Sequence, residues 1–239
     1  MPSVKLVIFD FEGTLFDTQR SISHCIKLTF DALLPSKAPS EPKVHRLISS
    51  GAGLMQTFKS LHPDPSSLDE EKWTATYRAI YAKHGQPLIA AFTGTKELLT
   101  ALRQRGILAA IISNKGVAAV STALKNNGME NSIPEDLIIG DKTPGATRKP
   151  DSGSYVNVLL PALKARGHGD FDPASVLVVG DTMTDIKFAA NIRARSVWCR
   201  YGYGNRVECE KLIPNFAVSS LKGVITILDL ENDEPPRSA

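Results

Sequence analysis

An apolar run opens at Val4 and closes at Phe9, and further runs recur at residues 107–112, 137–139, 176–179 and 196–199. Short apolar runs of this kind suit strands buried on both faces of a parallel sheet. Between the later runs the apolar spacing becomes helical, which predicts helices over 96–105, 117–126, 155–166, from Asp185 to about Ile192, and over 221–228. Gly106 and the pair Asn127-Gly128 supply helix ends. Strand–helix alternation in this order predicts an α/β fold built on a doubly wound, Rossmann-like parallel sheet.

Residues 17–88 follow a different rhythm. Ile22, Ile26, Phe30 and Leu33 form one apolar stripe, and a proline-rich loop over 34–42 breaks the pattern. Helical stretches follow at 44–50, 54–61 and 68–84, the last opening with Ser67 and Glu70 at capping-box spacing. No strand is evident here, so the expected organisation is an α/β core (1–16 and 89–230) with an all-helical, lid-like insert at 17–88. The polar tail at 231–239 is expected to be mobile.

Composition narrows the setting. The chain has 239 residues, 42% hydrophobic and 22% charged, which is ordinary usage for a packed domain. A net charge of +3 with no Lys/Arg block argues against a nucleic-acid partner and suits a small anionic one. Cys25, Cys199 and Cys209 lack any C-x-x-C spacing, so neither a zinc knuckle nor a disulfide framework is indicated. No apolar run could span a bilayer, and Met1-Pro2-Ser3 leads straight into the first strand. A cytoplasmic protein without a membrane partner is the expectation.

The chemistry lies where strands end. Asp10 and Glu12 follow the first run, Ser113 and Asn114 the second, Lys149 sits in the loop after the third, and Asp181 and Asp185 follow the fourth. Ligands bind beyond the carboxyl ends of such sheets. Each residue alone has an ordinary alternative: Asp10 or Ser113 as a cap, Lys149 as a solvated loop cation, Asp181 and Asp185 as a cap and an exposed acid. Together they form a coherent site. Asp10, Asp181 and Asp185, with Glu12 as a further candidate, give an oxygen-only ligand set suited to Mg²⁺. Asp10 could then attack phosphorus, with Ser113, Asn114 and Lys149 binding the phosphoryl oxygens. The Gly13-Thr14 turn would face its amides toward the same anion. Glu12 could serve the leaving group as acid and the incoming water as base.

Asp10-Phe11-Glu12-Gly13-Thr14, Ser113, Lys149 and Gly180-Asp181-x-x-x-Asp185 resemble the four motifs of the haloacid dehalogenase superfamily. The insert after the first motif, with Phe92-Thr93-Gly94, Ser113-Asn114-Lys115 and Tyr201-Gly202-Tyr203-Gly204, resembles its phosphoglycolate phosphatase-like branch. The resemblance covers residues 4–228. It implies a Mg²⁺-dependent phosphatase that works through an aspartyl-phosphate under a mobile helical cap, with sheet order 5-4-1-2-3. Glu12 departs from it, because the family's phosphatases usually carry Asp there. The superfamily's metal-free dehalogenases also differ at this position, but the acidic segment 180–185 argues against that reading.

The implied substrate is a small phosphorylated metabolite. Arg20, Ser50, Gly51 and Lys115 are the substrate-contact candidates, with His24, Lys27, Arg46, Lys59, Arg78 and His84 as further cations of the insert. A phosphoryl mutase, a diphosphate hydrolase and a regulatory protein weakened by Glu12 remain as alternatives. The sequence leaves the oligomeric state open.

Overall fold

The computed structural model describes residues 3–169 and 171–232. The chain runs β1 (Leu6–Phe9), β2 (Phe16–Asp17), α1 (Gln19–Leu33), α2 (Glu41–Ser49), α3 (Leu54–Leu61), α4 (Glu70–Ile80), β3 (Ala90–Ala91) and α5 (Thr95–Gln104). It continues with β4 (Leu108–Gly116), α6 (Val117–Asn126), β5 (Ile138–Asp141), α7 (Leu160–Ala165), β6 (Val176–Gly180) and α8 (Met183–Asn191). It ends with β7 (Arg195–Cys199), α9 (Arg206–Lys211), β8 (Phe216–Val218) and α10 (Leu221–Asn232).

Six strands form one parallel sheet in the order β5-β4-β1-β6-β7-β8. Its first five members reproduce the expected order read from the other edge. β1 lies between β4 and β6, and all four of its residues are buried. Burying an aliphatic or aromatic side chain of this size contributes about 1.5–3 kcal/mol. This central strand therefore fixes the ground from which Asp10 emerges. The short edge strand β8 was not foreseen: three residues after Pro214-Asn215 carry too little pattern.

A second sheet has two strands only. β2 and β3 pair antiparallel, Phe16 opposite Ala91 and Asp17 opposite Ala90, and the helical insert runs between them. Two-residue strands show no periodicity, and this pairing was not foreseen. Inside the insert, Phe30, Phe58 and Trp73 pack edge to face, with Phe30–Trp73 at 4.8 Å and Phe58–Trp73 at 5.1 Å. Such rings bury large apolar area and favour tilted contacts, and they join the insert's helices to the hydrophobic core that continues into the sheet.

Several boundaries differ from expectation. α2 begins at Glu41, with Pro42 in its first turn, where the missing N–H costs nothing. α4 is capped by Asp69, which accepts from the Lys72 amide at 3.0 Å, and Ser67 belongs to the preceding turn. Both are good caps two residues apart, and the carboxylate also meets the positive helix end. The helix expected over 68–84 stops at Ile80 and widens into a looser turn at Tyr81–Gly85, where Ser21 Oγ donates to the Gly85 carbonyl. β4 runs on through Ser113 to Gly116 rather than ending at residue 112. α10 reaches Asn232, since no proline interrupts it before Pro235, and the rest of the expected tail, 233–239, lies outside the described residues. Among the described residues no helix is long and apolar enough to cross a membrane.

Candidate active site

Asp10 is the first residue beyond β1, its amide donating to the Val179 carbonyl of the neighbouring strand at 2.9 Å. Asp181 follows β6 directly, and Asp185 sits in the first turn of α8. There Asp185 Oδ2 accepts from the Thr182 amide at 3.0 Å and hydroxyl at 2.8 Å. The same bonds cap the helix and fix the carboxylate's direction. Asp10, Asp181 and Asp185 each bring one oxygen into a group whose members all lie within 4.8 Å of one another.

Lys149 enters this group from the loop after β5. Its buried ammonium donates to Asp10 Oδ1 at 2.7 Å and to Asp185 Oδ1 at 2.6 Å. Three crowded carboxylates face one cation. Burial and the Asp185 charge push the Asp10 carboxyl up to about 6, although Lys149 pulls the other way. Burial and the other two carboxylates raise Asp181 well above the usual carboxylate range. For Lys149 burial opposes the charge, but Asp10 and Asp185 outweigh it and hold the amine protonated.

Asp181 is gripped from behind. Tyr203 donates its amide to Oδ2 at 2.7 Å, and Thr14 donates its hydroxyl to Oδ1 at 3.2 Å. Gly13 has φ +75°, and a Cβ there would come within 2.8 Å of Asp181 Cγ. Only glycine serves at such a position. The Gly13 amide donates to the Phe16 carbonyl at 2.9 Å. Gly13 and Thr14, expected at the phosphate, both lie against the Asp181 carboxylate. Tyr203 also spans to the insert: its hydroxyl accepts from the amides of Thr18 and Gln19, at 2.6 and 2.9 Å, and donates to Asp17.

Ser113 is buried and lines the same cavity as Asp10. It lies inside β4 and caps no helix, since α6 begins after Gly116. The Asn114 side chain is engaged: its Oδ1 accepts from the Lys149 amide at 3.0 Å and its Nδ2 donates to the Lys149 carbonyl at 3.4 Å. It therefore clamps the lysine loop onto β4. Glu12 lies outside the three-carboxylate group and pairs with Lys115 at 2.8 Å.

A cavity of about 830 Å³ opens from these residues into the seam between insert and core. Gly51 and Lys115 line it; Arg20 and Ser50 do not, being exposed, with Ser50 Oγ donating to the Leu47 carbonyl. Of the insert's other cations Arg78 lines it, paired with Asp141 at 3.1 Å. Tyr77, Tyr81, Arg148, Thr184 and Tyr203 line it too and were missed. Tyr77 and Tyr81 fall in the helical stretch expected over 68–84, and Tyr203 in the Tyr201-Gly202-Tyr203-Gly204 segment, where neither context marks them as pocket residues. Thr182 and Asp185 could have been paired from their capping-box spacing.

Comparison with known proteins agrees with this geometry. Residues 7–199 match the family model described as haloacid dehalogenase-like hydrolase. The chain is 28% identical over 229 residues to a phosphoglycolate phosphatase of Thiobacillus denitrificans, covering 91% of this chain and 95% of that protein. It is 24% identical over 226 residues to the pyrophosphatase PpaX of Listeria monocytogenes, covering 94% and 96%. Among solved structures it resembles a hydrolase from Pseudomonas syringae, with a TM-score of 0.72, 25% identity, and coverage of 96% and 99%. A haloacid dehalogenase-like family protein from Streptococcus pneumoniae superposes with a TM-score of 0.75 at 22% identity, covering 95% and 99%. With its family match spanning both the strands and the acids that follow them, the chain belongs to the haloacid dehalogenase-like hydrolases.

Proposed function

We propose that this protein is a Mg²⁺-dependent phosphatase that hydrolyses a phosphomonoester through an aspartyl-phosphate on Asp10. The observation that carries the reading is the convergence of Asp10, Asp181 and Asp185 on one point, with Lys149 bridging two of them. The donor set fits a small hard cation: it is all oxygen and buried, and Lys149 alone leaves it short of positive charge. Asp10, Asp181 and Asp185 would hold the ion, and Glu12 is turned to Lys115. When bound, Mg²⁺ supplies charge neutralisation for the phosphoryl oxygens.

The chain's own groups do the rest. An Asp10 oxygen attacks phosphorus and the ester P–O bond breaks, its electron pair leaving with the substrate oxygen. Ser113 and Lys149 bind the equatorial oxygens as charge builds there. Glu12 gives the departing oxygen its proton, then takes one from the water that attacks phosphorus. That attack expels Asp10 as a free carboxylate and releases inorganic phosphate. Residues 17–88 serve as a lid about the β2–β3 stem, excluding bulk water while the intermediate exists.

The test is phosphate release from p-nitrophenyl phosphate with and without Mg²⁺, for the native chain and for Asp10→Asn. Activity that needs Mg²⁺ and vanishes in the variant is the expected result. Full activity in excess chelator, or turnover by Asp10→Asn, would overturn it. The likeness to a pyrophosphatase supports a second reading, diphosphate hydrolysis on the same residues, in which a phosphate takes the place of the alcohol.

A further inference from the structure

We infer that the phosphate ester cleaved here carries a bulky, largely apolar alcohol, and that the seam between insert and core is its pocket. The inference rests on the phosphatase reading and adds the substrate class. Its ground is the wall of the cavity. Ile22, Ile48 and Leu54 face it from the insert and remain only partly buried, so apolar surface stays wet until something covers it. Tyr77 and Tyr81 line the cavity too, both buried, with the Lys115 ammonium over the Tyr81 ring.

Size and charge point the same way. At about 30 Å³ for each water, 830 Å³ holds on the order of 25–30 waters. A two-carbon alcohol would displace few of them, whereas cavities of this volume fit drug-sized ligands. The cations next to the phosphate end are engaged by protein partners. Lys115 binds Glu12 at 2.8 Å, Arg78 binds Asp141 at 3.1 Å, and Arg148 donates to the Asn114 carbonyl at 3.3 Å. A second carboxylate or phosphate on the substrate would have to compete with these partners or reach out to the exposed Lys142 at the rim. A hydrocarbon would leave the pairs intact and drive water from the wall.

The test uses mono-alkyl phosphates from ethyl to octyl, below their micelle concentrations, with Mg²⁺. The value of kcat/KM is expected to rise about fourfold per methylene, levelling off as the pocket fills. Leu54→Asn, and Ile48→Asn as a second variant in case the first misfolds, should flatten that slope at least about tenfold between ethyl and octyl. Binding of the matching alkyl phosphonates to Asp10→Asn protein, by calorimetry, reads the pocket without turnover and should tighten along the series. Turnover of p-nitrophenyl phosphate with flat alkyl series in both measurements overturns the pocket and leaves the phosphatase. A steep binding series without any phosphate release overturns the phosphatase and leaves the pocket. Flat binding and no turnover overturn both.

Discussion

The ammonium of Lys115, at the end of β4, lies 2.8 Å from Glu12 Oε1, and it sits 3.7 Å above the ring of Tyr81 in the insert. Burial works against a charge there, yet Glu12 and the neighbouring tyrosines keep the amine protonated well above its ordinary range. The pair accounts for the acid that departs from the family's usual aspartate. A shorter side chain would fall about 1 Å short of Lys115, and misplacement of that order costs about 10²-fold in rate. Glu12→Asp and Lys115→Met should each slow turnover by roughly that factor. With an aryl phosphate, rapid mixing should show a burst of alcohol ahead of slow turnover, because clearing Asp10 becomes limiting. The double variant should be no slower than either single one, as expected for residues acting as a unit. Additive losses without a burst would show that Glu12 works independently of Lys115.

Removing the Lys149 cation should hurt folding as well as catalysis. Lys149→Met leaves Asp10, Asp181 and Asp185 buried without their counter-charge. Breaking a buried pair from one side costs about 3–5 kcal/mol, readable in urea unfolding. Mg²⁺ should raise the melting temperature of the variant more than that of the native protein. A variant of native stability would mean that the carboxylates relax into water.

Gly202→Ala tests how tightly Asp181 is held. A Cβ at Gly202 would fall on the Asp181 side chain and 2.5 Å from the Gly13 carbonyl, so one of them must move. The concentration of Mg²⁺ needed for half activity should rise at least about tenfold, as for losses of groups that orient ligands. Gly169→Ala, whose Cβ meets open space, should shift stability by no more than about 0.5 kcal/mol. Equal metal requirements in the two variants would count against the metal site.

Trp73→Ala probes the aromatic packing inside the insert. The ring is buried against Phe30, Phe58 and His62. Truncations of this size cost about 3–5 kcal/mol. Protease cutting should rise first within residues 17–88, as mass spectrometry of early fragments would reveal. Cuts distributed evenly over the chain would mean that insert and core unfold together.

The legible parts of the molecule were those in which one segment carries its own signal. β1, β4, β5, β6 and β7 are apolar because both faces are covered, and the acids beyond them stand out by contrast. What depends on pairing at a distance was hidden. Lys115 meets Glu12 across 103 residues, and Asn114 meets Lys149 across 35. Nothing local marks either partner. The extension of β4 through Ser113–Asn114–Lys115 was missed because polar residues at a site do not show a strand's apolar signature. Arg20 and Ser50 were chosen from the right segment, but Arg20, in the first turn of α1, and Ser50, just past the end of α2, are both exposed.

Tyr203 gives the molecule a mechanical property. Its hydroxyl holds the amides that open α1, and its own amide holds Asp181. If the insert swings about its stem as proposed, Tyr203 would pass that movement to the Asp181 carboxylate. By reciprocity, the factor by which closure tightened an ion at Asp181 would equal the factor by which that ion favoured closure. In the proposed reaction a bound ion would favour closure, and an opening lid would loosen its own ion.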